Sequence, residues 1–354
     1  MTPGVLARRV ASNAMRLLPV TAYARVIRSE PIGLCYHVVS DRPVPHVSRL
    51  YPFKTVAQFR ADLLWLKAHF RFVSCAELME ARDAGRPLGP NRVFLSFDDG
   101  YAECFSVVRP MLLELGIPCT FFLTTDVIGN GQALAFNQVA LCVEAMRTMD
   151  GGRVRAILQE MGAAAGRPLA DAEAVSAWIR PALRNPDSPA YATLARLVEL
   201  AGVDVEAFLG TQPYLTAEQV KEMAREGFAF GGHSRLHWHL GSIDGAGRVE
   251  HEIVESCRVA AELSGASRVP FAFPYDGFGL DRGLLADVLR RHPFIGPVFG
   301  TGGVAREADV LHRMIVDHPP RRPGVPSTLP GVFRDAYLSE ALRRLGGARA
   351  EPPG

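Results

Sequence analysis

The sequence lacks a CxxC pair: its six cysteines (Cys35, Cys75, Cys104, Cys119, Cys142, Cys257) are scattered. Several sit inside apolar runs, as in GLCYH and PCTFF, where Cys acts as a small core hydrophobe. They read as reduced thiols rather than a disulfide framework. No apolar run reaches the roughly 18 residues of a membrane-spanning helix. Neither sign of charge dominates, with 39 Lys+Arg against 37 Asp+Glu and a formal +2. Without a basic stripe, a nucleic-acid partner is not expected. No GxGxxG follows a strand-like run, which argues against dinucleotide binding. There is no internal repeat and no extended low-complexity segment. Near the start, arginines at positions 8, 9 and 16 break up any signal-peptide apolar region. The expectation is therefore a cytoplasmic protein. Residues 1–29 form an amphipathic segment that either packs on the domain or makes a peripheral contact with the inner membrane.

What the 354 residues do contain is alternation. Short β-rich runs at 32–36, 93–97, 119–124, 228–232, 270–273, 294–299 and 311–316 are separated by amphipathic stretches such as FRADLLWLKAHF (59–70). Thr55 with Gln58 and Thr216 with Gln219 have capping-box spacing. Buried short strands alternating with helices imply a parallel sheet. The fold class expected is α/β, an irregular (β/α) barrel of about seven parallel strands. Residues 130–215 break the rhythm and read as helices at 136–149, 153–162, 171–182 and 189–202. They form a helical insertion that walls the site. The barrel domain is expected over 30–318, and 319–354 as a Pro/Gly-rich tail with a short helix at 333–345.

FLSFDDGY (94–101) sets two carboxylates side by side after an apolar run. Burying a carboxylate is costly without compensation, and ligands gather at the carboxyl ends of strands in such folds. A helix N-cap accounts for one Asp, not two. Glycosidase acids need a gap of at least ~5 Å with the sugar between them, which adjacent residues do not easily supply. Gly100 permits a turn that bends both carboxylates into one pocket. GGHSRLHWHL (231–240) adds His233 and His237 at i, i+4. On a helical turn that spacing presents both imidazoles to one metal. Ser234 stands where an HExxH protease has Glu, so a general base must come from elsewhere. Two His and one Asp make a three-ligand site, and a second Asp remains for the proton. His239 is expected in an outer or surface position. A capped turn with a coincidental HxxxH stays open on the residues alone.

Together these stretches resemble the polysaccharide deacetylase family, the metal-dependent sugar de-N-acetylases of carbohydrate esterase family four that share the nodulation-type deacetylase domain. FLSFDDGY is similar to the family's first motif and HSRLH to its second, H-[ST]-x-x-H. FAFPYDGFG (271–279) is similar to the third, whose Pro274-Tyr275 segment lines the substrate groove. LTAEQVKEMAREGFAFGGHS resembles the lead-in to the second motif. The resemblance covers roughly 30–130 and 215–316. It implies Asp98 as general base, Asp99, His233 and His237 as metal ligands, and the Tyr275 backbone N–H as oxyanion donor. The family's usual Arg before the Pro is missing from Phe271-Ala272-Phe273, and Arg313 is the expected substitute. The late L-x-H acid motif is not evident after residue 280. GLCYHVVSD (33–41), ending an apolar strand in His37 ahead of DDG, resembles the permuted branch. His37 is thus the expected acid, with His318 in reserve. Tyr101, like Tyr36, Trp238, Phe273 and Tyr275, is a candidate sugar-stacking wall.

The chemistry implied is metal-dependent removal of acetate from an N-acetylated carbohydrate. A water with its pKa lowered toward ~7 by the metal loses a proton to Asp98, and His37 protonates the leaving amine. Zinc fits two imidazoles and one carboxylate. A cytoplasmic setting favours a lipid-linked or nucleotide-linked sugar over mature polymer. Two other readings compete: an O-acyl esterase or other amide hydrolase, and an inactive carbohydrate-binding relative.

Overall fold

The apolar runs fold into eight strands: β1 (Ile32–Tyr36), β2 (Arg71–Phe72), β3 (Arg92–Phe97), β4 (Thr120–Leu123), β5 (Ala229–Gly232), β6 (Val269–Ala272), β7 (Ile295–Gly300) and β8 (Val310–Ile315). This computed structural model describes residues 31–305, 307–317 and 328–346. The expectations for residues 1–29 and for His318 lie outside the described residues. All strand pairings are parallel, in the order β1-β8-β7-β6-β5-β4-β3-β2, and a further β1–β3 pairing closes a barrel of seven strands. That is the fold class the alternation predicts. β2, too short to leave a pattern, pairs with the start of β3 at Arg71↔Arg92. β4 takes over at Ser96↔Thr120.

Alternation along each strand decides what fills the barrel. Phe94 on β3 stacks on Phe299 on β7 at 4.7 Å, and Phe122 on β4 lies 5.4 Å from the same ring. β3 and β7 are not neighbours in the ring, so this contact runs through the interior. Arg313 of β8 also lies over Phe122, at 4.8 Å. Gly33 faces Arg313 in register, and a Cβ there would sit 2.7 Å from Arg313 Cγ. Glycine on β1 therefore makes room for an arginine inside the barrel.

Helices α1 (Val56–His69), α2 (Cys75–Asp83) and α3 (Arg109–Leu115) follow in chain order. Thr55 and Gln58 close the expected capping box on α1. Its Phe59, Leu63 and Leu66 are buried against the outer faces of β1 and β3, where Phe59 meets Tyr36 and Phe97 edge-on at 5.1 and 5.5 Å. Each such burial contributes about 1.5–3 kcal/mol. The insertion between β4 and β5 holds α4 (Ala135–Thr148), α5 (Gly151–Ala165), α6 (Ala172–Ala182), α7 (Ala190–Ala201) and the unanticipated short α8 (Val205–Gly210). It has its own apolar cluster, including Val143, Ile157, Ile179 and Leu197. α9 (Ala217–Arg225), opened by the Thr216–Gln219 capping box, α10 (Ala246–Ser264) and α11 (Arg282–Arg291) complete the outer layer. α12 (Leu329–Gly346) returns to α1, packing Phe333 on Trp65 and Phe70, each at 5.5 Å. No helix among the described residues is long and apolar enough to cross a membrane.

Candidate functional site

Asp98 and Asp99 lie at the carboxyl end of β3, both 2% exposed. Asp98 N–H still donates to Tyr36 O, as if β3 continued beside β1. The chain then turns through positive φ at both Asp99 (73°) and Gly100 (83°), a conformation Asp tolerates better than most residues. The turn expected at Gly100 thus starts one residue earlier. It brings both carboxylates to the barrel mouth.

Asp98 is held by Arg313, fully buried, in a bidentate pair: Nη1 to Oδ1 at 2.6 Å and Nη2 to Oδ2 at 2.8 Å. Nη1 also donates to Ser96 Oγ at 2.8 Å. Burial pushes the Asp98 carboxyl up, but Arg313 and then His233 more than offset it and hold it below the usual carboxylate range. The expected substitute for the missing third-motif arginine is in contact with Asp98.

His233 and His237 reach the same mouth by a route other than the helical turn their spacing suggested. Residues 233–237 are not helical, because their backbone serves β4 and the loop after it. His233 N–H donates to Leu123 O, while Ser234 O and Arg235 O accept from Thr125 and Asp126. Positive φ at Ser234 and His237 (56° and 61°) and a bond from His237 N–H to Ser234 Oγ turn the second imidazole inward. The two rings lie 5.0 Å apart. His233 Nε2 and His237 Nε2 are 3.5 and 3.2 Å from Asp99 Oδ1, and this oxygen accepts no hydrogen bond. His233 Nδ1 donates to Ala272 O at 2.9 Å, leaving the Nε2 lone pair toward Asp99. Burial pulls His233 down to about 4, so its ring is neutral.

His37, at the end of β1, carries a partner that sequence reasoning missed. Asp317 Oδ2 accepts from both His37 N–H (2.8 Å) and His37 Nδ1 (2.9 Å). Burial lowers the imidazole pKa, but Asp317 raises it more, to about 9. The signal lay in VDHPP, where attention fell on His318 and its neighbour Asp317 was passed over. His37 with Cys35 and Asp98, and Asp99 with His233 and His237, are two adjoining clusters of close donor atoms.

Tyr275 sits at the rim with φ 60°, its ring 4.6 Å from that of His237. Its carbonyl accepts from Thr301 Oγ1 at 2.5 Å, and its backbone N–H donates to no acceptor among the described residues. Pro274 is buried beside it. Tyr101 is fully buried against Tyr214 and accepts from Asn137 Nδ2 at 3.0 Å, so it buttresses the site instead of facing a groove. Tyr36 and Phe273 are core residues, and Trp238 donates to Tyr191 OH. His239 lies near the mouth, bonded to Ser242 and Asp276. The insertion also reaches the mouth: Phe136 of α4 is edge-on to His237 at 4.9 Å, and Arg184 lies over Tyr275 at 4.4 Å.

A divalent metal fits the second cluster. Asp99 Oδ1 without a hydrogen-bond donor, two imidazole nitrogens beside it, and His233 fixed by a carbonyl at its other nitrogen are the donor set and outer support such an ion needs.

Comparison with known proteins shows what the chain is similar to. Residues 85–161, which contain Asp98 and Asp99, match the family model described as polysaccharide deacetylase. The poly-beta-1,6-N-acetyl-D-glucosamine N-deacetylase of Escherichia coli K12 is 31% identical over 91 residues, 25% of this chain and 13% of the relative. The Staphylococcus epidermidis protein of the same description is 29% identical over 111 residues, 30% of this chain and 36% of its own length. The chain thus spans well under two thirds of the relatives it matches. In three dimensions it is similar to the structure of IcaB from Ammonifex degensii, with a TM-score of 0.50 and 17% identity over 86% of this chain and 96% of that one.

Proposed function

We propose that the chain is a polysaccharide deacetylase, a reading supported by the family model that matches residues 85–161, and that it hydrolyses the acetamide of an N-acetylated sugar, giving acetate and an amino sugar. The observation carrying this reading is the convergence of a buried ion-paired base, a three-ligand set and a carboxylate-backed imidazole at one barrel mouth. Asp99, His233 and His237 would hold the metal, for which zinc suits two imidazoles and a carboxylate. Bound there, a divalent ion supplies Lewis acidity toward water and the acetamide carbonyl.

The residues of the chain do the rest. Asp98, kept ionised by Arg313, accepts the proton of the attacking water. Arg313 aims that carboxylate and cannot itself give up a proton at working pH. The Tyr275 N–H, unengaged in the protein, is available to the developing oxyanion. His37, kept protonated by Asp317, donates to the departing nitrogen, which leaves as an amine and not as an anion. The sugar is held between Tyr275 and the insertion.

Acetate release from N-acetylated oligosaccharides, nucleotide sugars and lipid-linked sugars tests the reading, with metal-stripped protein, added zinc and an Asp98→Asn control. Zinc-dependent release that vanishes in the control supports it. Release only from O-acetyl esters, or zinc bound with no release at all, overturns it.

A further inference from the structure

Arg180 lies in the last turn of α6 and Arg184 in the turn just beyond it, close enough for their charges to oppose each other. Neither has a carboxylate partner among the described residues. Apart from one long bond from Arg180 Nη1 to Leu50 O at 3.4 Å, neither guanidinium donates to any acceptor there. The Arg184 guanidinium carbon lies 4.4 Å from the centre of the Tyr275 ring, and its N–H groups make no hydrogen bond to the described residues. Arg180 is half-buried, and burial, together with the nearby charge of Arg184, holds its pKa below the usual arginine value. The carboxylates nearby have closer partners, Asp98 in Arg313, Asp317 in His37, Asp276 in His239 and Asp187 in Arg248, although Arg184 also helps hold the Asp276 carboxyl below its usual range. Favourable placement at a helix C-terminus, typically under ~1 kcal/mol, explains one exposed cation better than two converging ones. Arg184, Asn185, His239 and Ser242, with Asp187 held by Arg248, line a cavity of about 550 Å³, large enough for a small-molecule group.

We propose that Arg180 and Arg184 bind a phosphoryl group carried by the substrate, next to the N-acetyl sugar at the barrel mouth. The position of the sugar rests on the deacetylase reading above; the anion site does not. A phosphate on the anomeric carbon adjoins the carbon that bears the acetamido group. The Arg184 guanidinium stands one aromatic ring away from His237, and guanidinium donors suit phosphoryl oxygens. The substrate class is then a phosphate-linked N-acetyl sugar, with the phosphate belonging to either a nucleotide or a lipid carrier.

Two measurements test this. Calorimetry of the metal-free protein with N-acetylglucosamine 1-phosphate, against N-acetylglucosamine, should show about tenfold or greater preference for the phosphorylated sugar. Arg180→Gln/Arg184→Gln should abolish that preference, and Arg180→Lys should keep most of it. Equal binding of the two sugars, or an undiminished preference in the double variant, overturns the proposal. Acetate release then compares kcat/KM for neutral β-linked oligomers, the sugar 1-phosphate, and nucleotide- and lipid-diphosphate sugars. The ratio of phosphorylated to neutral substrate should fall about tenfold in Arg184→Gln, and the better of the two diphosphate forms identifies the carrier. Equal losses on both substrate types count against the anion site while leaving the deacetylase reading intact. Phosphate-selective binding without deacetylation of any sugar would do the reverse.

Discussion

Arg313 has no exposed side-chain surface, and its charge is matched by one carboxylate. Removing one partner of such a pair costs about 3–5 kcal/mol, because the other charge stays buried alone. Arg313→Met is therefore expected to lower stability by that order and to misplace the base. Arg313→Met/Asp98→Asn should recover part of the stability but none of the activity, and urea denaturation of the single and double variants checks this. Asp98→Asn alone should reduce kcat/KM by ~10²–10⁴ while zinc content by metal analysis stays unchanged. Gly33 is tied to the same pair. In Gly33→Ala the new methyl would meet Arg313 Cγ at 2.7 Å and His312 O at 2.8 Å, an overpacking worth about 1–3 kcal/mol. Its melting temperature and acetate release should fall together.

His37 carries the pH dependence at this scale. Its pKa in the fold is about 9 against an ordinary 6.5. The protonated form therefore stabilises the fold fully below about pH 6.5, and the gain is lost as pH rises through about 9. In metal-free protein, the difference in urea midpoint between wild type and Asp317→Asn should shrink over that interval. A difference that stays constant with pH would contradict the pairing.

At the scale of elements, the insertion is joined to the barrel by polar contacts as well as apolar ones. Asn137 of α4 is fully buried and bonds His46 O, Tyr101 OH and Tyr214 OH. Asn137→Ala removes these three buried hydrogen bonds, Tyr214 OH keeping only the bond from Leu134 N–H, at about 1–3 kcal/mol. Hydrogen exchange across 130–215 should rise in that variant, while α1 and α2 keep their protection. Element boundaries were legible wherever a pattern repeats, as in the seven apolar strands and the capping boxes at Thr55 and Thr216. β2 and α8 were not, being too short to repeat. The conformation around His233 was misread because spacing alone does not reveal that β4 takes the backbone groups a helix would need. Asp317 escaped for a related reason: a contact across 280 positions leaves no local pattern, whereas Arg313 was found by asking what must replace a missing arginine.

For the whole molecule, the six cysteines are free and buried. Burial pushes Cys75, Cys142 and Cys257 up to about 12, and Cys35, Cys104 and Cys119 well above the usual thiol range. A thiol reagent at neutral pH should find none of them in the native protein and all six after unfolding. The barrel itself was legible because parallel strands buried on both faces leave continuous apolar runs. The closing β1–β3 contact has no sequence mark of its own.

That closure bears on how the protein is made. β1 emerges first from a ribosome, yet it must wait for both β3 and β8 before its two edges are filled. A nascent chain that has reached β7 already owns Asp98, Asp99, His233 and His237. It lacks the arginine paired with Asp98 and the carboxylate paired with His37, since Arg313 lies on β8 and Asp317 just after it. On the proposed reading, synthesis would supply the candidate metal ligands before the two residues that complete the catalytic arrangement, and a chain interrupted short of β8 would carry the first without the second.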